Sequence, residues 1–143
     1  MPTQPPTPVS LGDIVDRFGG ELAGDPGLRV RQVATLETAT PDTIAFFANE
    51  RYLAQLKATR AGAVIVGLSL RGKLDMPHII AANPYAYFAR VSALFNPLQA
   101  PEAGFHPAAV IDPRARLGAG VHVGPHAVIG ADAEIGDGCS IGA

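Results

Sequence analysis

The chain has 143 residues, 48% of them hydrophobic and 17% charged, with 11 Lys and Arg against 13 Asp and Glu for a formal net charge of −2. That is room for one ordinary domain or two small ones, and the near-neutral balance without a Lys/Arg cluster excludes a nucleic-acid surface, which needs several basic groups on one face. Cys139 is the single cysteine and has no internal disulfide partner, and the N-terminus carries neither a signal peptide nor an apolar run of membrane-spanning length, so the expected compartment is the cytoplasm.

Residues 1–9 hold Pro2, Pro5, Pro6 and Pro8 and little to bury, which predicts a disordered arm. Ser10 and Asp13 then form a capping-box pattern, and Leu11, Ile14, Val15 and Phe18 share one face of a helix that Gly19-Gly20 ends. Leu28, Val30 and Gln32 alternate with Arg29, Arg31 and Val33 as a strand, Thr40-Pro41-Asp42 turns the chain, and Ile44 to Ala48 is a second strand. Asn49 is placed to cap a short helix with Tyr52, Leu53 and Leu56 as its inward positions. Ala63–Val66 and His78–Ala81 are apolar runs of buried-strand type. Asn83-Pro84 supplies cap and first residue of a further helix, on which Tyr85, Phe88, Ser92 and Phe95 form a stripe, and Asn96-Pro97 stops it. The alternation predicts a small α/β domain over residues 10–96, followed by a linker over 97–102.

From residue 103 the chain reads in sixes: AGFHPA, AVIDPR, ARLGAG, VHVGPH, AVIGAD, AEIGDG, CSIGA. The third position is always apolar (Phe105, Ile111, Leu117, Val123, Ile129, Ile135, Ile141), and the first is always small or modest, from Ala103 to Cys139. Glycine follows the aliphatic at 118, 124, 130, 136 and 142, where it is expected to allow a positive-φ turn. A parallel β-helix with three hexads per coil satisfies this pattern over residues 103–143, with one aliphatic per face filling a narrow axis and Phe105 placed to plug its end. An 18-residue coil stacks Arg114 on Asp132 and Arg116 on Glu134, so the charges corroborate the register.

Four histidines invite general-base or metal readings. His78 opens an apolar strand and reads as structural, His106 and His126 flank proline turns, and His122 is an outward second-position residue. None stacks on another in an 18-residue coil, so no zinc site is expected, because such a site needs three converging nitrogens. Asp132 and Glu134 have arginine partners, Asp112 and Asp137 lie at turns, and Cys139 belongs to the inward column as a buried thiol. No catalytic dyad and no cofactor emerges.

A small α/β domain joined to hexapeptide coils resembles the UDP-3-O-(3-hydroxyacyl)glucosamine N-acyltransferases of lipid A biosynthesis. The resemblance rests on Phe46-Phe47-Ala48-Asn49-Glu50-Arg51-Tyr52, similar to the family's F-x-x-N-x-x-Y uridine-recognition stretch, on Asn83-Pro84-Tyr85 with Tyr87-Phe88-Ala89-Arg90, and on Pro107-Ala108-Ala109-Val110-Ile111-Asp112. It implies a left-handed β-helix, a uracil ring sandwiched by Phe46 and Tyr52, and Asn49 hydrogen-bonded to the ring edge. It further implies a homotrimer that takes a 3-hydroxyacyl chain from acyl carrier protein to the 2-amine of UDP-3-O-acylglucosamine. The family's base is a histidine of a later coil, so no catalytic residue is assigned here. Read from the residues alone, Phe46 is a core strand residue, Asn49 a helix cap and Tyr52 an inward helical position.

Two coils without a polar cap are expected to be the opening part of a longer protein, inactive in isolation, whose nucleotide-binding domain is intact. Two competing readings are a non-catalytic module that recruits a partner through the open coil, and a hexapeptide acyltransferase acting on another nucleotide sugar or CoA.

Overall fold

Ser10 decides where the first helix begins. In the computed structural model, which describes residues 7–97 and 99–143, its hydroxyl accepts from the Asp13 amide (3.1 Å) and donates to the Asp13 carboxylate (2.7 Å). The expected arm lies outside the described residues over 1–6, as does Leu98 of the expected linker. Strand β1 (Val9–Ser10) leads into α1 (Leu11–Phe18), which stops at Gly19, where φ is +77° and the amide bonds the Val15 carbonyl at 2.7 Å. The chain continues through β2 (Glu21–Ala23), β3 (Arg29–Val30), β4 (Gln32–Val33) and β5 (Thr43–Phe46). A 3-10 turn (Glu50–Tyr52) then runs into α2 (Leu53–Ala58), followed by β6 (Ala63–Val66), β7 (His78–Ile80) and α3 (Pro84–Phe95).

These elements form the first of two compact units, which divide between Pro97 and Leu98. Its sheet has the order β2-β7-β6-β5-β4, parallel except for β2, which runs antiparallel along β7. Residues alternate between its faces, as strand geometry requires. Ile44, Ala63, Ile65 and Ile79 pack with Leu11, Ile14, Tyr87, Val91 and Phe95 on one side. Ala45, Phe47, Val64, Val66 and Ile80 pack with Leu56 on the other. Because both faces are covered, β6 is apolar at every position rather than alternating.

The structure corrects several expectations for this unit. Leu28 to Val33 is not one strand: β3 pairs antiparallel with β1, whereas β4 joins the main sheet. Strand β2 had no counterpart in the sequence reading. On α3 the inward face is Tyr87, Val91 and Phe95, spaced four residues apart, and Tyr85 is 68% exposed. Only Leu56 of the three expected inward positions on α2 is buried; Tyr52 and Leu53 are 49% and 40% exposed, because the helix begins with a tighter 3-10 turn that rotates them outward.

The second unit is a stack of two-residue strands, β8 (Gly104–Phe105), β9 (Val110–Ile111), β10 (Arg116–Leu117), β11 (His122–Val123), β12 (Val128–Ile129), β13 (Glu134–Ile135) and β14 (Ser140–Ile141). They form three parallel faces, β8-β11-β14, β9-β12 and β10-β13, with partners such as Arg116 and Glu134 eighteen positions apart. Val121, Val123, Ala127 and Ile129 form its core. Arg114 lies 3.9 Å from Asp132 and Arg116 3.3 Å from Glu134, as the 18-residue coil requires. Both pairs are largely solvated and worth at most about 1 kcal/mol, so they report register rather than stability.

Glycine has a different task here from the one expected. Apart from Gly104 in the first strand, the positive-φ residues are Gly120, His126, Asp132 and Gly138, at the sixth hexad position, and not the glycines that follow the aliphatics. Gly118 is required by close approach instead: a Cβ there would meet the Asp137 nitrogen at 2.5 Å and the Gly136 carbonyl carbon at 2.8 Å in the next coil. Phe105 and Cys139 also depart from expectation. Phe105 is 55% exposed and forms the rim of its column rather than a buried plug. Cys139 is exposed. No helix among the described residues is long and apolar enough to cross a membrane.

Candidate functional site

Strand β5 ends by sending Phe46 and Phe47 to opposite faces of the sheet, and the chain then turns into α2 through Ala48-Asn49. The Asn49 carboxamide oxygen accepts from the Arg51 amide at 2.9 Å and so caps the 3-10 turn. That geometry brings Phe46, Asn49 and Tyr52 to the wall of one groove of about 590 Å³, within the range of small-molecule sites, about 300–1,000 Å³. The segment Val33–Glu37, Phe88 of α3 and Gln55 of α2 also line it.

The three predicted residues reach the site in different states. Phe46 is half-buried and braced by two rings, Phe88 at a centroid distance of 4.4 Å and Tyr85, edge-on, at 5.7 Å. Among the described residues Phe46 makes no ring pair with Tyr52, although both line the groove. Tyr52, the last residue of the 3-10 turn, is about half exposed. Asn49 both caps and lines the groove, and its Nδ2 donor stays available.

The chemistry of the lining is selective. Aromatic rings supply flat apolar contact, amides supply directional hydrogen bonds, and no Lys or Arg lines the groove; the carboxylate of Glu37 is its one charged group. Such a wall holds a planar, uncharged ring bearing polar edge atoms far better than an anion. Sequence reasoning placed Phe88 on a helix stripe without seeing that it braces Phe46, and gave no part to Gln55. An apolar residue three positions from Tyr85 and Val91 on one helix has no signature that separates packing from support of a site.

The histidines do not assemble into a second site. His78 is buried, with Nδ1 2.7 Å from the Met76 carbonyl oxygen. His106 Nδ1 accepts from the Ala108 amide at 3.1 Å, His122 Nδ1 sits 2.8 Å from the Glu102 carbonyl oxygen, and His126 is an exposed left-handed residue. In the coil register His122 stands opposite Gly104 and Ser140, so no imidazole stacks on another.

Residues 28–94, which contain every groove residue, match the family model described as UDP-3-O-(3-hydroxymyristoyl) glucosamine N-acyltransferase, LpxD, and residues 114–143 match the bacterial transferase hexapeptide model. The UDP-3-O-acylglucosamine N-acyltransferase of Paraburkholderia phytofirmans is 50% identical over 116 residues, 77% of this chain and 31% of that protein. The protein of the same name from Paraburkholderia xenovorans is 47% identical over the same shares, and that from Aromatoleum aromaticum is 50% identical over 71% of this chain and 30% of its own length. The chain thus spans about a third of the length of these relatives. Groove and coils are each similar to known proteins, the groove region to the N-acyltransferase family model and the coils to the hexapeptide model, and the chain as a whole resembles relatives that share about half of the aligned residues.

Proposed function

We propose that this chain is the nucleotide-recognising part of an N-acyltransferase that transfers a 3-hydroxyacyl chain from acyl carrier protein to the 2-amine of UDP-3-O-acylglucosamine, in lipid A biosynthesis in the cytoplasm. The observation that carries this reading is the convergence of Phe46, Asn49 and Tyr52, three residues apart in sequence, on one aromatic groove without a Lys or Arg. Uracil lies between the rings of Phe46 and Tyr52, gaining about 1–3 kcal/mol per stacked face, and Asn49 donates to a carbonyl oxygen of its edge.

On the same reading, residues 10–96 are the uridine-binding domain and residues 103–143 the first coils of a left-handed β-helix, with no residue of this chain acting as the general base. A homotrimer is supported by the outward valines of one coil face. Val110 and Val128 are stacked in register and 61% and 73% exposed, whereas the other faces present Arg116 with Glu134, and His122 with Ser140. Calorimetric titration with UDP tests the central point. Binding to the native chain that falls at least about tenfold in Tyr52→Ala, with an unchanged melting temperature, supports it; UDP binding that ignores Tyr52 contradicts it.

A further inference from the structure

Gln55 is the one groove-lining side chain with a buried, unpartnered polar atom among the described residues: its Oε1 is closed off from solvent and meets no donor. A buried acceptor left without a partner is a standing cost to the free protein. Relief is close by, because Gln55 lies one helical turn after Tyr52 and lines the same groove. The torsion that turns a terminal carboxamide is soft, so Oε1 can swing to the groove if a donor arrives there.

The other polar groups of the groove define which donor is left over. The edge of uracil reads acceptor, donor, acceptor: O2, N3–H, O4. The Asn49 oxygen accepts from the Arg51 amide, which orients the carboxamide, and its Nδ2 donor suits a carbonyl oxygen of the ring. The Thr35 hydroxyl is paired with Thr38 at 2.8 Å and accepts from its amide at 3.2 Å. The Leu36 carbonyl oxygen accepts from the Thr59 hydroxyl at 2.7 Å. Glu37 is exposed at the rim.

We infer that Gln55 is the specificity-determining acceptor of the groove, turning its carboxamide oxygen on to the N3–H of a bound uracil while Asn49 donates to the adjacent carbonyl. The inference rests on the uracil reading above and adds the residue that rejects bases or analogues lacking a donor at N3. It also assigns a division of labour: Phe46 and Tyr52 hold any flat ring, and the two amides choose among them.

Calorimetry on the full chain with UDP and with its 3-methyluracil analogue separates the possibilities. The native chain binds UDP at least about tenfold more tightly than the methylated analogue, the factor expected when a buried acceptor loses its donor. In Gln55→Met, which keeps length and loses the acceptor, UDP weakens about tenfold and the preference for UDP shrinks to less than about threefold, while the melting temperature holds or rises. If UDP binds and Gln55→Met keeps both affinity and preference, the assignment of Gln55 is overturned and the uracil reading stands. If Glu37→Ala rather than Gln55→Met abolishes the preference, the acceptor is Glu37 and the assignment is again overturned. If UDP leaves Phe46, Asn49 and Tyr52 untouched, the uracil reading fails and takes this inference with it. The comparison of the two ligands in the native chain needs no variant to fold.

Discussion

Gly118 and Gly124 occupy the same position of successive hexads, yet the structure gives alanine different receptions at the two sites. At Gly118 a Cβ would press on the backbone of the next coil, 2.5 Å from the Asp137 nitrogen and 2.8 Å from the Gly136 carbonyl carbon, whereas at Gly124 the nearest atom of the next coil, the Gly142 carbonyl carbon, lies at 3.1 Å. Neither glycine has a positive φ, so backbone strain does not distinguish them. Overpacking against backbone costs about 1–3 kcal/mol. Moving Asp137 also breaks the bond its carboxylate accepts from the Ala119 amide (2.8 Å), a further loss of about 1 kcal/mol. Gly118→Ala should therefore destabilise the coil by about 2–4 kcal/mol, while Gly124→Ala, whose neighbours need give only a few tenths of an ångström, costs about 1 kcal/mol or less. Native-state hydrogen exchange reads this directly at the amides of His122 and Gly124, which bond the next coil at 2.9 and 2.8 Å. Equal effects of the two alanines, or a silent Gly118→Ala, would refute the close-approach argument.

Phe46→Ala should cost fold stability as well as ligand, about 2–4 kcal/mol of unfolding free energy, because the ring packs on Phe88; Tyr52→Ala, half exposed, should cost under about 1 kcal/mol. Urea unfolding that ranks them the other way contradicts the placement. Burial pushes the Tyr87 phenol from 10.0 up to about 12, and its hydroxyl donates to the Gly19 carbonyl at 2.8 Å. The unfolded chain then loses its proton first, so stability is whole below pH 10 and falls as pH rises towards 12, by about 3 kcal/mol at the limit. Tyr87→Phe should flatten that alkaline decline, and an unaltered slope would be the contrary result. The Thr40 hydroxyl, 2.6 Å from Asp42, is the chief reason that carboxyl sits below its ordinary value of 3.8, ahead of Arg31. Its contribution is present above that value and lost as pH falls through the lowered one. An NMR titration should show Thr40→Val raising it more than Arg31→Ala does; the reverse order would contradict the assignment.

The hexad was legible because a single narrow axis demands one aliphatic per face, and Arg114 and Arg116 disclosed the coil length through their partners eighteen residues on. The reason for glycine was not. The left-handed corners fall on residues as unlike as Gly120, His126 and Asp132, and Asp and His tolerate that conformation well enough to hide it. Helix α3 carries apolar side chains on nearly every side, so Tyr85 competes with Tyr87 for the inward face until the sheet chooses. Strand β2 is three residues between glycines at the sheet edge, too short for a periodic signal. Within the groove, Phe46, Asn49 and Tyr52 stood out through a motif, but the bracing by Phe88 and the orphaned oxygen of Gln55 exist only once three segments are brought together.

The account stands or falls on a base lying between Phe46 and Tyr52. Intermolecular nuclear Overhauser effects between uridine and the chain measure this directly. The account predicts contacts from the uracil ring protons to the ring protons of both Phe46 and Tyr52, with amide shifts confined to Val33–Glu37, Asn49 and Gln55. Uracil contacts to any other surface, or shifts that bypass this groove at saturating uridine, would contradict it.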